Sequence, residues 1–333
     1  MAADPLTILL VGHGEKPIPP VGWGAVESLI WEYSLQLKAM GHMVEILNTP
    51  DTDQVIAHLS KYSYDFVHFH DDILVNILEQ IPSRVKVVLT SHYPYIHDPS
   101  KWDDKDSGYN YGRFVMGPLV FYARRKRVHI CAVSYKDRDA LVSYGIPADS
   151  ISVCVNGVNV SKFRVELGPV QHPNKTICMA QIIPRKRQHL FRGYPDIVCA
   201  GKINDLTTLP SQESWIGEWG DDKYEKLTQY GNAILLSDGE NGTPLGIKES
   251  LAAGLGCVVS EAVANEIPKD WHWVHIIPES QIADLEVIKR ACETNRVVAG
   301  SLKQQIREKT RDLWDWSTLV AIYIAAIRQA LGI

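Results

Sequence analysis

Apolar and polar positions follow two rhythms from the start of the chain. The run LTILLVG is continuous and rich in β-branched residues, as suits a strand covered on both faces. Behind it, Val26, Leu29, Ile30, Tyr33, Leu37 and Met40 recur at spacings of three and four. Residues 24–40 are therefore predicted to form a helix with one apolar face, stopped by Gly41. MVEILN predicts a second strand and residues near 51–61 a second helix. DFVHF, VKVVLT and HICAVS predict further strands, each running into polar residues at its carboxyl end, where open α/β sheets carry ligands. His70, His92 and Ser134 stand at or just beyond those ends. After Asn156 the stretch VSKFRVELGPVQHPNK breaks the rhythm and reads as a linker between domains. TICMAQI, DIVCAG, NAILLS and GCVVSE then predict a second series of strands, with helices near 221–229 and 245–254. Residues from Asp312 to Leu331 predict a closing helix whose Trp314, Leu319, Ile322 and Tyr323 give it a face to bury. The βαβ rhythm makes the expected fold class α/β, with a parallel sheet in each half.

Composition narrows this little. A chain of 333 residues exceeds what one core usually serves, so two domains are expected. With 45% hydrophobic and 22% charged residues it is far from a disordered chain. A net charge of −5 provides no overall attraction for nucleic acid, and none is expected as a partner. The basic run ARRKR at 123–127 is a local candidate contact for an anionic lipid surface or an acceptor phosphate, or simply a solvated helix end. Six cysteines stand far apart without CxxC spacing or a histidine cluster to complete a zinc set, so they read as buried free thiols in a reducing compartment. The first residues, MAADPLTILLVG, lack a basic segment before their short apolar run, and no stretch reaches the roughly 20 apolar residues of a spanning helix. A cytoplasmic protein, peripheral if at a membrane at all, is the expectation.

Three segments concentrate candidate chemistry. In PPVGWGAVE, Gly22 and Gly24 permit a tight turn and close approach of backbone to a ligand, with helix amides facing an anion. Glu27 occupies the third glycine position of the dinucleotide pattern, so an ordinary turn is an equal reading. In QIIPRKRQ, Arg185, Lys186 and Arg187 follow a strand. A cation there would stabilise a leaving nucleoside diphosphate more than the bound donor; a solvated charged turn is the alternative. In LLSDGENGTPLGIKESLAAG, either Glu240 or Asp238 projects from a loop and Glu249 falls in the first or second turn of the next helix. Carboxylates so placed accept paired hydrogen bonds from sugar and ribose hydroxyls, although Glu249 could equally complement the helix dipole. Separately, His68, His70, Asp71, Asp72, His92, His97 and Asp98 crowd two strand ends, which admits a metal-dependent hydrolase built on His68, His70 and His92. Alternation puts His68 and His70 on one side of their strand, where packing against helices is the competing reading.

Taken in order, these segments resemble the retaining nucleotide-sugar glycosyltransferases of the GT-B fold, in the large family 4 that contains phosphatidylinositol mannosyltransferase and sucrose synthase. PPVGWGAVESLIWEYSLQLKAMGHMVEIL is similar to its first loop and helix, VLTSHYPY to the strand that places His92 near the transferred sugar, and AVSYKDRDAL and VCVNGVNVSKF to the close of its first domain. AQIIPRKRQ is similar to its diphosphate-gripping segment, matching Lys186 to the lysine, with Gln181 where that family has arginine and Ala180 where it has glycine. SDGENGTPLGIKESLAAGLGCVVS resembles its two-glutamate motif, at a spacing one residue longer. That matches Glu240 to the sugar-contacting glutamate and Glu249 to the ribose-binding one. DLWDWSTLVAIYIAAI resembles its last helix.

The resemblance implies two Rossmann-like domains facing each other across a cleft, 1–165 on the acceptor side and 166–311 on the donor side, with 312–333 crossing back to the first. It implies catalytic roles for His92, Lys186 and Glu240, and donor binding by Gly22, Gly24, Gln181, Arg185, Lys186, Thr243, Pro244, Leu245 and Glu249. Trp23 and Ser134 fall on the acceptor side. The donor would be a UDP- or GDP-linked sugar and the acceptor a sugar, glycan or glycolipid, reached with retention and with no metal or other cofactor. The aromatic and acidic loop 93–112 would form a lid or acceptor wall. A nucleotide-sugar-binding protein of this fold with little catalysis, and a sugar-nucleotide epimerase, are the rival readings within it.

Overall fold

The computed structural model describes residues 4–22, 24–104, 109–164 and 170–333. The chain divides into two compact units, Met1–Asn156 with Trp316–Ile333, and Gly157–Asp315. The first boundary thus falls at 156/157 and the last at 315/316, not at 165/166 and 311/312.

The first unit runs β1 (Thr7–Gly12), α1 (Ala25–Ala39), β2 (Met43–Asn48), α2 (Thr52–Lys61), β3 (Phe66–Phe69) and β4 (Val87–Leu89). A short antiparallel pair, β5 (Asp103–Asp104) and β6 (Tyr109–Asn110), precedes α3 (Gly117–Arg124), β7 (His129–Ala132), α4 (Tyr135–Ser143) and β8 (Ile151–Val153). Six strands form one sheet in the order β2-β1-β3-β4-β7-β8, and its pairings are parallel. Ile8, Leu9, Leu10 and Val11 are fully buried, as a central parallel strand covered on both faces requires. At the end of α1 the amide of Gly41 donates to Lys38 O and that of His42 to Leu37 O. Gly41 takes φ +91°, so it closes the helix in a left-handed conformation, as its position predicts.

The second unit runs β9 (His172–Met179), β10 (Ile197–Ala200), α5 (Lys223–Lys226), β11 (Tyr230–Leu235), α6 (Leu245–Ala252), β12 (Gly256–Ser260), β13 (Val274–Ile277), α7 (Leu285–Gly300) and α8 (Lys303–Trp314). Its sheet has the order β10-β9-β11-β12-β13 and is again parallel. The HPNK end of the expected linker is strand, because His172 pairs with Tyr230 at the start of β11. Helices α7 and α8 bury mixed stripes, Ile288, Ala291, Cys292, Asn295 and Ala299 on the first and Ile306, Arg307, Thr310 and Trp314 on the second, in which polar groups do part of the packing. Buried Asn295 on α7 donates to Trp273 O at 2.9 Å and accepts from Asn232 Nδ2 at 3.0 Å. Arg307 on α8, also buried, donates to Ala252 O and Phe163 O.

The expected closing helix is two. Asp315, at φ −63° and ψ 132°, leaves the helical region, so Asp312–Trp314 finish α8 and α9 spans Trp316–Leu331. Helix α9 belongs to the first unit: Tyr323 meets Tyr33 of α1 edge-on at 5.0 Å, and Lys86 Nζ donates to Leu331 O at 3.0 Å.

Candidate active site

In both sheets the chain leaves the first strand to one side and returns on the other, which opens a crevice at the carboxyl ends of the two strands flanking the reversal. In the second unit these are β9 and β11. Residues following β9 supply Arg185 and Lys186, and the loop after β11 supplies Glu240. Lys186 Nζ and Arg185 Nη1 both contact Glu240 Oε1, the latter at 2.8 Å, and Arg185 also donates to Gly239 O at 2.7 Å. Lys186 and Glu240 are buried. Burial alone would raise Glu240, but Lys186 and Arg185 beside it hold its carboxyl below the usual range. Asp238, the alternative to Glu240, instead donates its backbone amide to Arg185 O at 3.0 Å. Arg187 turns away to Glu279 at 2.8 Å. Gln181 accepts from Gln188 Nε2 through its backbone carbonyl at 2.9 Å.

Helix α6 starts beside this crevice. A methyl group on Gly246 would lie 2.5 Å from Met179 O, so the glycine is what lets the helix approach the end of β9. Pro244 occupies the N-cap and Leu245 the first helical position, ahead of Glu249 in the second turn. The Thr243 hydroxyl is buried without a hydrogen-bond partner. Glu249 pairs with Lys223 of α5 at 2.5 Å.

The first unit places different groups at the ends of β1, β3 and β4. His68 is fully buried, with Nδ1 2.9 Å from Tyr323 Oη and Nε2 2.8 Å from Thr90 Oγ1. Both its nitrogens are engaged, so it is a core histidine. His70 Nδ1 lies 3.4 Å from His92 Nε2, and His70 Nε2 is buried without a partner. Burial, reinforced by neighbouring imidazoles, lowers all three pKa values: His68 to about 3, His92 to about 4, and His70 well below the ordinary value. These rings are neutral at physiological pH. Asp72 accepts from Ser91 Oγ at 2.5 Å, and burial pushes its pKa up to about 6. Asp71 and Asp98 cap turns at Ile73 and Ser100. Among the described residues, no three His, Cys, Asp or Glu side chains are grouped to hold a metal ion. The hydrolase alternative therefore lacks its ligand set.

Gly22 takes φ +77°, and a methyl on Gly24 would sit 2.7 Å from Pro20 Cβ and 2.9 Å from Glu27 Oε2. The start of α1 is thus approached by the chain's own Glu27 carboxylate, which is 3.4 Å from His13 Nε2. Trp23 lies outside the described residues. Ser134 is buried as the N-cap of α4, accepting from the Asp137 amide at 3.0 Å and donating to Asp137 Oδ2 at 2.8 Å. The loop 93–112 packs on itself where it is described, with Tyr93 stacked on Tyr111 at 4.1 Å. In the basic run, Arg124 bonds Gly145 O, Arg125 lies 3.4 Å over Phe121, Lys126 pairs with Asp149, and Arg127 bonds Leu78 O and Ser83 O. The six cysteines are buried and free, as their spacing predicts.

The structure thus unites Arg185, Lys186 and Glu240 on one sheet and His70 with His92 on the other. Sequence reasoning missed Lys223 and the pairing of His13 with Glu27. Lys223 lies in the charged run DDKYEK, where no spacing marks it.

Residues 47–162 match the domain described as Glycosyltransferase Family 4. A search of curated proteins finds no match. Among solved structures, the chain is similar to HepE of Anabaena in complex with UDP and glucose, at 13% identity and TM-score 0.72, covering 97% of this chain and 99% of that one. Sucrose-phosphate synthase of Thermosynechococcus elongatus is similar at 13% identity and TM-score 0.75, over 98% and 99% of the two chains. AviGT4, a glycosyltransferase involved in avilamycin A biosynthesis, gives 15% identity and TM-score 0.71 over 98% of each. Two parallel Rossmann-like sheets and similarity to these structures over nearly the whole chain give the chain the GT-B fold, and within the first unit residues 47–162 resemble a family 4 glycosyltransferase domain.

Proposed function

We propose that this protein is a family 4 glycosyltransferase that takes its sugar from a nucleoside-diphosphate donor, UDP- or GDP-linked, and transfers it with retention to a hydroxyl of a sugar, glycan or glycolipid. The observation that carries the reading is the pair of cations, Arg185 and Lys186, meeting one carboxylate at the β9/β11 crevice. A buried ammonium with a half-buried guanidinium beside it needs anionic company. Glu240 supplies it in the free protein, and a donor diphosphate supplies it in the complex, releasing Glu240 to accept hydrogen bonds from sugar hydroxyls. As the glycosidic bond breaks, charge accumulates on the leaving diphosphate, where Lys186 and Arg185 stabilise it more than they stabilise the bound donor. Retention follows if the donor phosphate itself takes the acceptor's proton on the face from which the nucleotide leaves. Metal independence is part of the proposal, since the two side-chain cations take the charge-stabilising role. Neutral His92 can give or take a hydrogen bond at a sugar hydroxyl without adding charge. That HepE, a protein of this fold, is solved with UDP and with UDP-glucose supports the donor class. Six free buried cysteines suit a reducing compartment, and a cytoplasmic location belongs to the same proposal.

The test is a thermal-shift and calorimetry series with UDP, GDP, ADP and their common sugar conjugates, with and without EDTA. Ligand at a hundred times its Kd stabilises the native state by about 2.7 kcal/mol. The expected result is selective stabilisation by uridine or guanosine diphosphates that EDTA does not change. No stabilisation by any of them would leave a protein of this fold with another task.

A further inference from the structure

Helix α5 carries Lys223 up to Glu249 on α6, with Nζ 2.5 Å from Oε1. Neither side chain is sealed off: Lys223 is 21% exposed and Glu249 14%. The ammonium also faces an aromatic ring, since Nζ lies 5.2 Å from the Tyr224 ring centroid, and Phe163 meets that ring edge-on at 5.0 Å. Burial pulls the Lys223 pKa down, but Glu249 and Tyr224 more than offset this and carry it above the ordinary lysine range, so the ammonium stays charged. One of its three N–H groups is directed to Glu249, and two remain for another acceptor.

A carboxylate only accepts hydrogen bonds and an ammonium only donates them. A ribose 2′,3′-diol offers two O–H donors and two acceptor oxygens on adjacent carbons, so a carboxylate and an ammonium side by side match it as neither does alone. We propose that Lys223 is a specificity-determining residue of the donor site: Glu249 takes the O–H of one ribose hydroxyl while Lys223 donates to the oxygen of its neighbour. The assignment rests on the reading that a nucleoside diphosphate occupies the β9/β11 crevice. It adds to that reading a basis for choosing ribonucleotides over deoxyribonucleotides. A pair serving only to fasten α5 to α6 would show no such preference.

The experiment measures binding of UDP, GDP and ADP and of their 2′-deoxy and 3′-deoxy counterparts by calorimetry, in the wild type and in Lys223→Met, Lys223→Gln and Lys223→Arg. Circular dichroism first confirms which variants are folded, and Lys223→Gln, which keeps a donor without the charge, stands in if the methionine variant does not fold. The wild type is expected to bind the ribonucleotide about 10- to 100-fold more tightly than a deoxy counterpart, the range of a hydrogen bond to a charged group. In Lys223→Met the ratio falls to within about threefold for one of the two deoxy counterparts, the one lacking the hydroxyl that faces Lys223, while the counterpart lacking the hydroxyl on Glu249 keeps its deficit, and Lys223→Arg restores part of the lost ratio. Equal weakening of ribo- and deoxynucleotides in Lys223→Met, with both ratios kept, overturns the assignment and leaves donor binding intact. Failure of the wild type to bind any of the three diphosphates overturns the transferase reading itself, and this assignment with it.

Discussion

The crevice at β1/β3 and the crevice at β9/β11 lie at equivalent reversals of two parallel sheets, yet they hold opposite kinds of chemistry. In the first unit the groups are imidazoles driven neutral by burial, with Asp72 held on Ser91. In the second they are ions gathered on carboxylates, Arg185 and Lys186 on Glu240 and Lys223 on Glu249. Topology provides the place for a ligand in each case. What the place can bind is decided by whether buried polar groups meet partners of opposite charge, as in the second unit, or shed their charge, as in the first.

The largest expected effect breaks the charged crevice. Lys186→Ala should cut turnover of the preferred donor about 10²- to 10³-fold, the scale of losing one preorganised charge-stabilising group. It should also lower Tm, since Glu240 loses one of its two cationic partners. The double variant Lys186→Met with Glu240→Gln should recover thermal stability without recovering turnover. Wild-type turnover in the single variant would place the diphosphate elsewhere.

A smaller effect separates the two units by pH. The folded-state pKa values of His68, His70 and His92 lie below their unfolded values, so the unfolded chain binds more protons between about pH 4 and 6.5. The stability this neutrality contributes is present above about pH 6.5 and is lost as pH falls toward about 4, each tenfold difference in proton affinity being worth about 1.4 kcal/mol. Asp72, raised to about 6, acts with the opposite sign over part of that window, so the histidines are isolated by comparing variants. Denaturant unfolding at about pH 7 and pH 5 should show a larger loss in the wild type than in His92→Gln. Equal losses would mean that the imidazole of His92 protonates freely in the native state.

The smallest effect sharpens the charged side. Gln181→Arg should tighten diphosphate binding by about three- to tenfold if that position faces the crevice, a gain of at most about 1.4 kcal/mol. A marked loss of affinity in a folded variant would show a pocket built around the glutamine.

Much of the fold was legible because parallel strands are short continuous apolar runs and α1 has a clean three-four spacing. Legibility failed where burial is polar. Helix α7 sets Asn295 among Ile288, Ala291, Cys292 and Ala299, and α8 sets Arg307 and Thr310 between Ile306 and Trp314, so polar residues interrupt both buried stripes, and the break at Asp315 divides what reads as one helix. In the site, Arg185, Lys186, Glu240 and Glu249 were visible as charge beside glycine and strand ends. The core role of His68 was not, since it depends on Tyr323, far away in sequence. Ser134, chosen as an acceptor-side group, has its hydroxyl engaged in capping α4.

The sequence by itself determined the element types, the two series of parallel strands and the residue types available at their ends, because periodicity and turn chemistry are local. Only the tertiary structure decided which carboxylate meets which cation, which histidines are core and that Lys223 stands beside Glu249. Those outcomes depend on strand order and helix packing, which bring together groups that no local spacing relates.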